Sequence, residues 1–224
     1  MKLLLIPTLV SLLGFSCPGG GQTIEPDLGG DKPITVYFLL GFLDEYRGRS
    51  IVEGSALVEK FGCDEQKEAE LFLEYLRRLT AEQQIRTEIE VQTRQECLVS
   101  YSSREVARFL NSFYRYELSD EVKSIGDDGT YERTANAFTT MEAFPASCRE
   151  CKLAYLSGAY TRYGVDDSFW FANSQRKAAL VAELLRDLGC RNVRIESSEG
   201  LIPQSNRVIF EPSPEVAEWL GREW

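Results

Sequence analysis

The stretch from Asn173 to Glu211 constrains the fold more than any other. Ala178, Val181, Leu184, Leu185 and Leu188 recur near every 3.6 residues behind a cap at Asn173 or Ser174, and Gly189 is placed to stop the helix. Val193 and Ile195, a polar loop to Asn206, and the run Arg207-Val208-Ile209-Phe210 then read as two strands. A helix and a hairpin that each carry one apolar face bury those faces against each other, which predicts an α+β core.

The rest of the chain supplies similar parts. Ile34 to Leu40 reads as a central strand after Pro33. Ser50 and Glu53 have capping-box spacing ahead of Ala56, Leu57 and Phe61, predicting a short helix that ends at Gly62. Asp64 is placed to cap a longer helix striped by Ala69, Phe72, Leu73, Leu76 and Leu79, with Glu74 and Arg78 set to pair on its surface. Ile85, Thr87, Ile89 and Val91 alternate with polar residues, the pattern of a half-buried strand. Ser102 and Glu105 predict a helix carrying Val106, Phe109, Leu110 and Phe113. Residues 120–130 read as a loop and Tyr131 to Met141 as a strand. A helix is expected from Cys148 toward Tyr160, an extended piece from Val165 to Phe171, and a last helix at Pro214 capped by Ser213. The expected architecture is one α+β domain over 33–224, with a mostly antiparallel sheet of four or five strands and helices packed on one face. Two lobes split near 120–130 are the alternative. The helix-then-strand units 65–91 and 174–196 are alike in kind, but their residues do not match closely enough to argue duplication.

Residues 1–16 read as a signal peptide: a basic start, then an apolar run too short to span a bilayer. Leu12-Leu13-Gly14-Phe15-Ser16-Cys17 resembles a bacterial lipoprotein signal, with Gly14 and Phe15 departing from its pattern. The resemblance implies a lipidated, palmitate-bearing Cys17, membrane attachment and a cell-envelope location, with secretion as the alternative. Residues 17–32 are Gly-rich and aperiodic, as a flexible tether would be.

Chemistry is sparse. There is no histidine, which removes His-based triads and His-ligated metals. No dinucleotide fingerprint or phosphate-binding loop occurs, so no cofactor and no metal are expected. A formal charge of -10 repels nucleic acid, and no nucleic-acid partner is expected. Six cysteines in an exported chain favour disulfides; with Cys17 lipidated, two bridges and one free thiol is the simplest outcome. Cys148 and Cys151 resemble a thioredoxin-type pair in spacing alone, and a structural role stands beside a redox one. Glu88 and Glu90 could flank a groove or simply face solvent. The aromatic segment holding Tyr160, Tyr163, Phe169 and Trp170 is the candidate recognition surface. These features lead to the expectation of a non-catalytic envelope lipoprotein that binds a protein or glycan. A carboxylate-dependent hydrolase, or a thiol-disulfide oxidoreductase using Cys148 and Cys151, is the second choice.

Overall fold

The computed structural model describes residues 34–45, 48–52, 55–125, 131–198 and 204–221. The leader, the tether and Cys17 lie outside them. The order is α1 (Ile34–Phe42), β1 (Arg49–Val52), β2 (Leu57–Phe61), α2 (Gln66–Glu82), β3 (Glu90–Arg94), β4 (Leu98–Ser102), α3 (Arg104–Asn111), β5 (Arg115–Ile125), β6 (Tyr131–Phe138), α4 (Arg149–Tyr163), β7 (Ser168–Ala172), α5 (Gln175–Asp187), β8 (Arg191–Ser197), β9 (Ser205–Glu211) and α6 (Pro214–Leu220). The class is α+β with antiparallel sheets, as expected. Instead of one sheet of four or five strands, the described residues form three sheets of three, ordered β1-β6-β5, β2-β4-β3 and β7-β9-β8.

Two of these sheets belong to repeated units. In the first unit, α1 leads to β2, α2, β3, β4 and α3. In the second, α4 leads to β7, α5, β8, β9 and α6. The sheet orders β2-β4-β3 and β7-β9-β8 match strand for strand. The units 65–91 and 174–196 are therefore equivalent in topology, although their side chains differ.

The first expected strand is a helix. In α1, every residue from Thr35 to Phe42 is buried, and a helix that is apolar all round belongs in a core. It packs on α4 through two glycines. A Cβ on Gly41 would overlap the carbonyl oxygen of Tyr155, and one on Gly158 would overlap that of Phe38. Each glycine thus meets the residue three before the other glycine, a reciprocal contact that makes the two helices equivalent about their crossing. Gly158 lies at a close approach of the two helices, and α4 continues past it to Tyr163.

The predicted helix over 50–62 is replaced by β1 and β2; β1 pairs with the distant β6, Arg49 opposite Ala137. The predicted loop over 120–130 is strand as far as Ile125. Over 85–89 burial alternates as the pattern predicts, but ladder pairing begins only at Glu90. The helix at 66–82 buries Ala69, Phe72, Leu76 and Leu79, and Arg78 pairs with Glu82 rather than Glu74. For α3 the cap is Ser103, accepting from the Val106 N–H, rather than Ser102. The helix 175–187, the hairpin β8–β9 and the Ser213-capped α6 stand where the sequence puts them.

Candidate functional site

The C-terminal ends of α1 and α4 meet in a buried polar hub. The last carbonyls of a helix lack internal partners and carry negative partial charge. Here two cations serve α1: Arg162 Nη1 donates to Phe42 O at 3.1 Å and Lys177 Nζ to Leu43 O at 2.5 Å. Lys177 is 1% exposed, although it lies in α5, because it falls on that helix's apolar stripe beside Ala178 and Val181.

Around these cations the chain places carboxylates. Glu45, 2% exposed, holds Oε1 3.7 Å from Lys177 Nζ and accepts from Tyr114 at 3.1 Å and Thr139 at 3.5 Å. Its backbone oxygen accepts from Ser174 Oγ at 2.6 Å, and so Ser174 does not cap α5 with its side chain. Lys177 also lies 5.2 Å from the ring centre of Tyr163 and 5.8 Å from that of Tyr155, an attractive placement for a desolvated ammonium.

Glu59 reaches the hub because β2 bulges. The register shift between Leu57 and Glu59 puts Glu59 opposite Tyr101, in step with Phe61 opposite Val99, so that it faces the core. There it accepts from the Asp44 and Lys60 N–H groups at 2.7 and 2.8 Å and lies 3.5 Å from Arg162 and 3.9 Å from Arg49. Arg162 also binds Glu65 at 2.7 Å. Burial drives the Glu45 and Glu59 carboxyls above their ordinary range against the pull of Lys177 and Arg162, and draws the Lys177 ammonium down. Burial acts on Glu65 in the same way, but hydrogen bonds from Arg162 and the Gly62 N–H, with the Arg162 charge, hold it below that range. Asp44 stays exposed, 3.5 Å from the Tyr163 hydroxyl.

The sheet faces turned away from the helices form the second feature. In β2-β4-β3 strand alternation puts Lys60, Ser100, Gln92 and Arg94 on that face, with Leu98 and Glu90 beside them. In β7-β9-β8 the outward row crosses Trp170, Arg207 and Glu196, and the neighbouring one ends on Arg194. Trp170 is 45% exposed, and the Arg207 guanidinium lies 5.0 Å from its ring centre.

Of the candidate recognition residues, Trp170 alone lies open on this face. Phe169 is core, Tyr160 edges against it, and Tyr163 is half-buried in the hub. Cys148 and Cys151 form a disulfide across the first turn of α4, and Cys63 is bridged to Cys97; Cys190 is a buried free thiol. Glu88 and Glu90 line an open groove with Glu105, Ser102 and Ser103. The hub itself escaped the sequence reading. Its readable sign is Lys177, a charge on an apolar helical stripe.

These features define an α+β protein built from two topologically equivalent units around a pair of crossed helices, and the arrangement resembles the LAGLIDADG homing endonuclease fold. The likeness is to homing endonuclease I-DmoI. Mesophilic variants of that protein match at 13% identity and TM-score 0.55, over 85% of this chain and 97% of theirs. I-DmoI in complex with DNA and Mn matches at 14% and 0.55, over 85% and 98%. A substituted I-DmoI on its target DNA matches at 13% and 0.52, over 79% and 86%. Neither protein-family models nor curated sequences give a match.

These neighbours overturn the functional expectations. They are DNA-acting endonucleases, so the envelope lipoprotein with a palmitate anchor at Cys17, its membrane location or secretion, its protein or glycan partner, and the exclusion of nucleic acid are all set aside. The expectation failed for two physical reasons. The sixteen residues read as a leader carry no information about the domain that follows, and a charge summed over the chain conceals how its cations are distributed.

Proposed function

We propose that this chain binds double-stranded DNA through the outer faces of β2-β4-β3 and β7-β9-β8. The observation that carries the reading is the fold likeness, spanning nearly the whole of a DNA-bound chain. The charge layout supports it. Lys60, Arg94, Arg194 and Arg207 stand on the two outer faces against Glu90 and Glu196. Much of the acidity lies on the helical layer, where Glu70, Glu74 and Glu82 of α2 and Glu183 and Asp187 of α5 are exposed. Antiparallel strands fit a major groove about 12 Å wide, and Arg, Gln and Ser side chains can pair with base edges there.

The test is fluorescence anisotropy of a labelled duplex pool over a salt series. Binding should weaken as salt rises, and Arg94→Ala and Arg207→Ala should each reduce the log–log slope by about one where the guanidinium meets a phosphate. No binding at low salt, or binding indifferent to both substitutions, refutes the reading.

A further inference from the structure

We infer that the helix-end hub holds its own cations where a divalent ion would otherwise sit, so that the chain binds duplex DNA without metal-dependent hydrolysis. The DNA half of this statement rests on the binding reading above.

The argument begins with the donor set. A hydrolytic divalent ion needs carboxylate oxygens free to coordinate it. The buried carboxylate oxygens gathered here are committed. Glu45 faces the Lys177 ammonium and takes the Tyr114 and Thr139 hydroxyls. Glu59 faces Arg162 and Arg49 and takes two backbone N–H groups. A metal ion at either carboxylate would have to displace a cation that is itself buried and covalently part of the chain.

The two helices also fail to supply a matched pair of acids. The reciprocal contact at Gly41 and Gly158 sets their register. Counting from those glycines, Asp44 corresponds to Thr161, Glu45 to Arg162, and Tyr46 to Tyr163. In sequence, each acid that follows α1 thus corresponds to a neutral or basic residue of α4, and the third position is tyrosine in both. Among the described residues, no group of three His, Cys, Asp or Glu side chains is arranged to hold a metal ion. The described residues of the hub therefore do not fit a divalent-metal site.

The full chain is titrated with Mn²⁺ and followed by the electron paramagnetic resonance of the free ion, alone and with the duplex pool. Supercoiled plasmid is incubated in parallel with Mg²⁺ or Mn²⁺. The expected result is an undiminished free-Mn²⁺ signal, intact plasmid, and duplex affinity constant within about twofold between EDTA and Mg²⁺ at matched ionic strength. Stoichiometric Mn²⁺ uptake lost in Glu59→Gln or Glu45→Gln, or plasmid nicking blocked by EDTA, overturns the inference. If no duplex binds, the DNA reading fails by itself, and the Mn²⁺ titration of the free chain still decides the fate of the hub.

Discussion

Lys177 and Glu45 show how a buried pair depends on both members. Removing one partner of such a pair leaves an uncompensated charge, at a cost of about 3–5 kcal/mol. Lys177→Met should destabilise the chain by that order in urea denaturation, and Lys177→Met with Glu45→Gln should regain most of the loss. Equal losses in the single and double variants would mean that the two side chains do not interact. Glu65 tests the rim. Its pKa is held below the unfolded value, so its stabilisation is complete above that value and disappears as pH falls through the folded one. Glu65→Gln should therefore lower stability at neutral pH, by about 1 kcal/mol for a half-exposed charged hydrogen bond. It should also flatten the loss seen below pH 4.5. Parallel acid limbs for the two proteins would contradict this assignment.

Among the elements, the α1–α4 crossing is the least tolerant. Gly41→Ala and Gly158→Ala each put a methyl group into a backbone carbonyl of the partner helix, and each should cost about 3 kcal/mol, the upper range for overpacking. Chemical denaturation reads this directly. The β3–β4 turn offers the opposite opportunity. Gln95 and Glu96 both adopt positive φ, 51° and 65°, which favours Asn or Gly. Replacing them with Asn-Gly should stabilise by about 1 kcal/mol. The local elements were legible where one amphipathic stripe is enough, as in α2, α5, α6 and the hairpin β8–β9. Ile34 to Leu40 was not, because a short run buried on every side fits strand and helix alike. Nor was β1, whose pairing with the distant β6 is non-local and leaves no mark in adjacent residues. In the hub, Glu45 sits after a helix the sequence did not reveal, and Glu59 depends on a bulge, so neither could be placed beside Lys177 in advance.

At the scale of the molecule, the proposed DNA binding has to reconcile a net charge of -10 with cations on the outer faces of β2-β4-β3 and β7-β9-β8, and it does so by leaving exposed acids on α2 and α5. Association should accordingly be slow and strongly salt-dependent, since the distant acidic layer repels the duplex while the sheets attract it. Stopped-flow mixing should show the rate constant rising as salt screens that repulsion, even as equilibrium affinity falls; a rate constant that falls with salt would locate the negative field elsewhere.

The positive charges at the helix ends are fixed to the backbone by their own side chains. On the inference that these cations exclude a divalent ion, dialysis and chelators should extract nothing there, and the centre should have no stripped form to refill. Its composition is set once, when the chain folds.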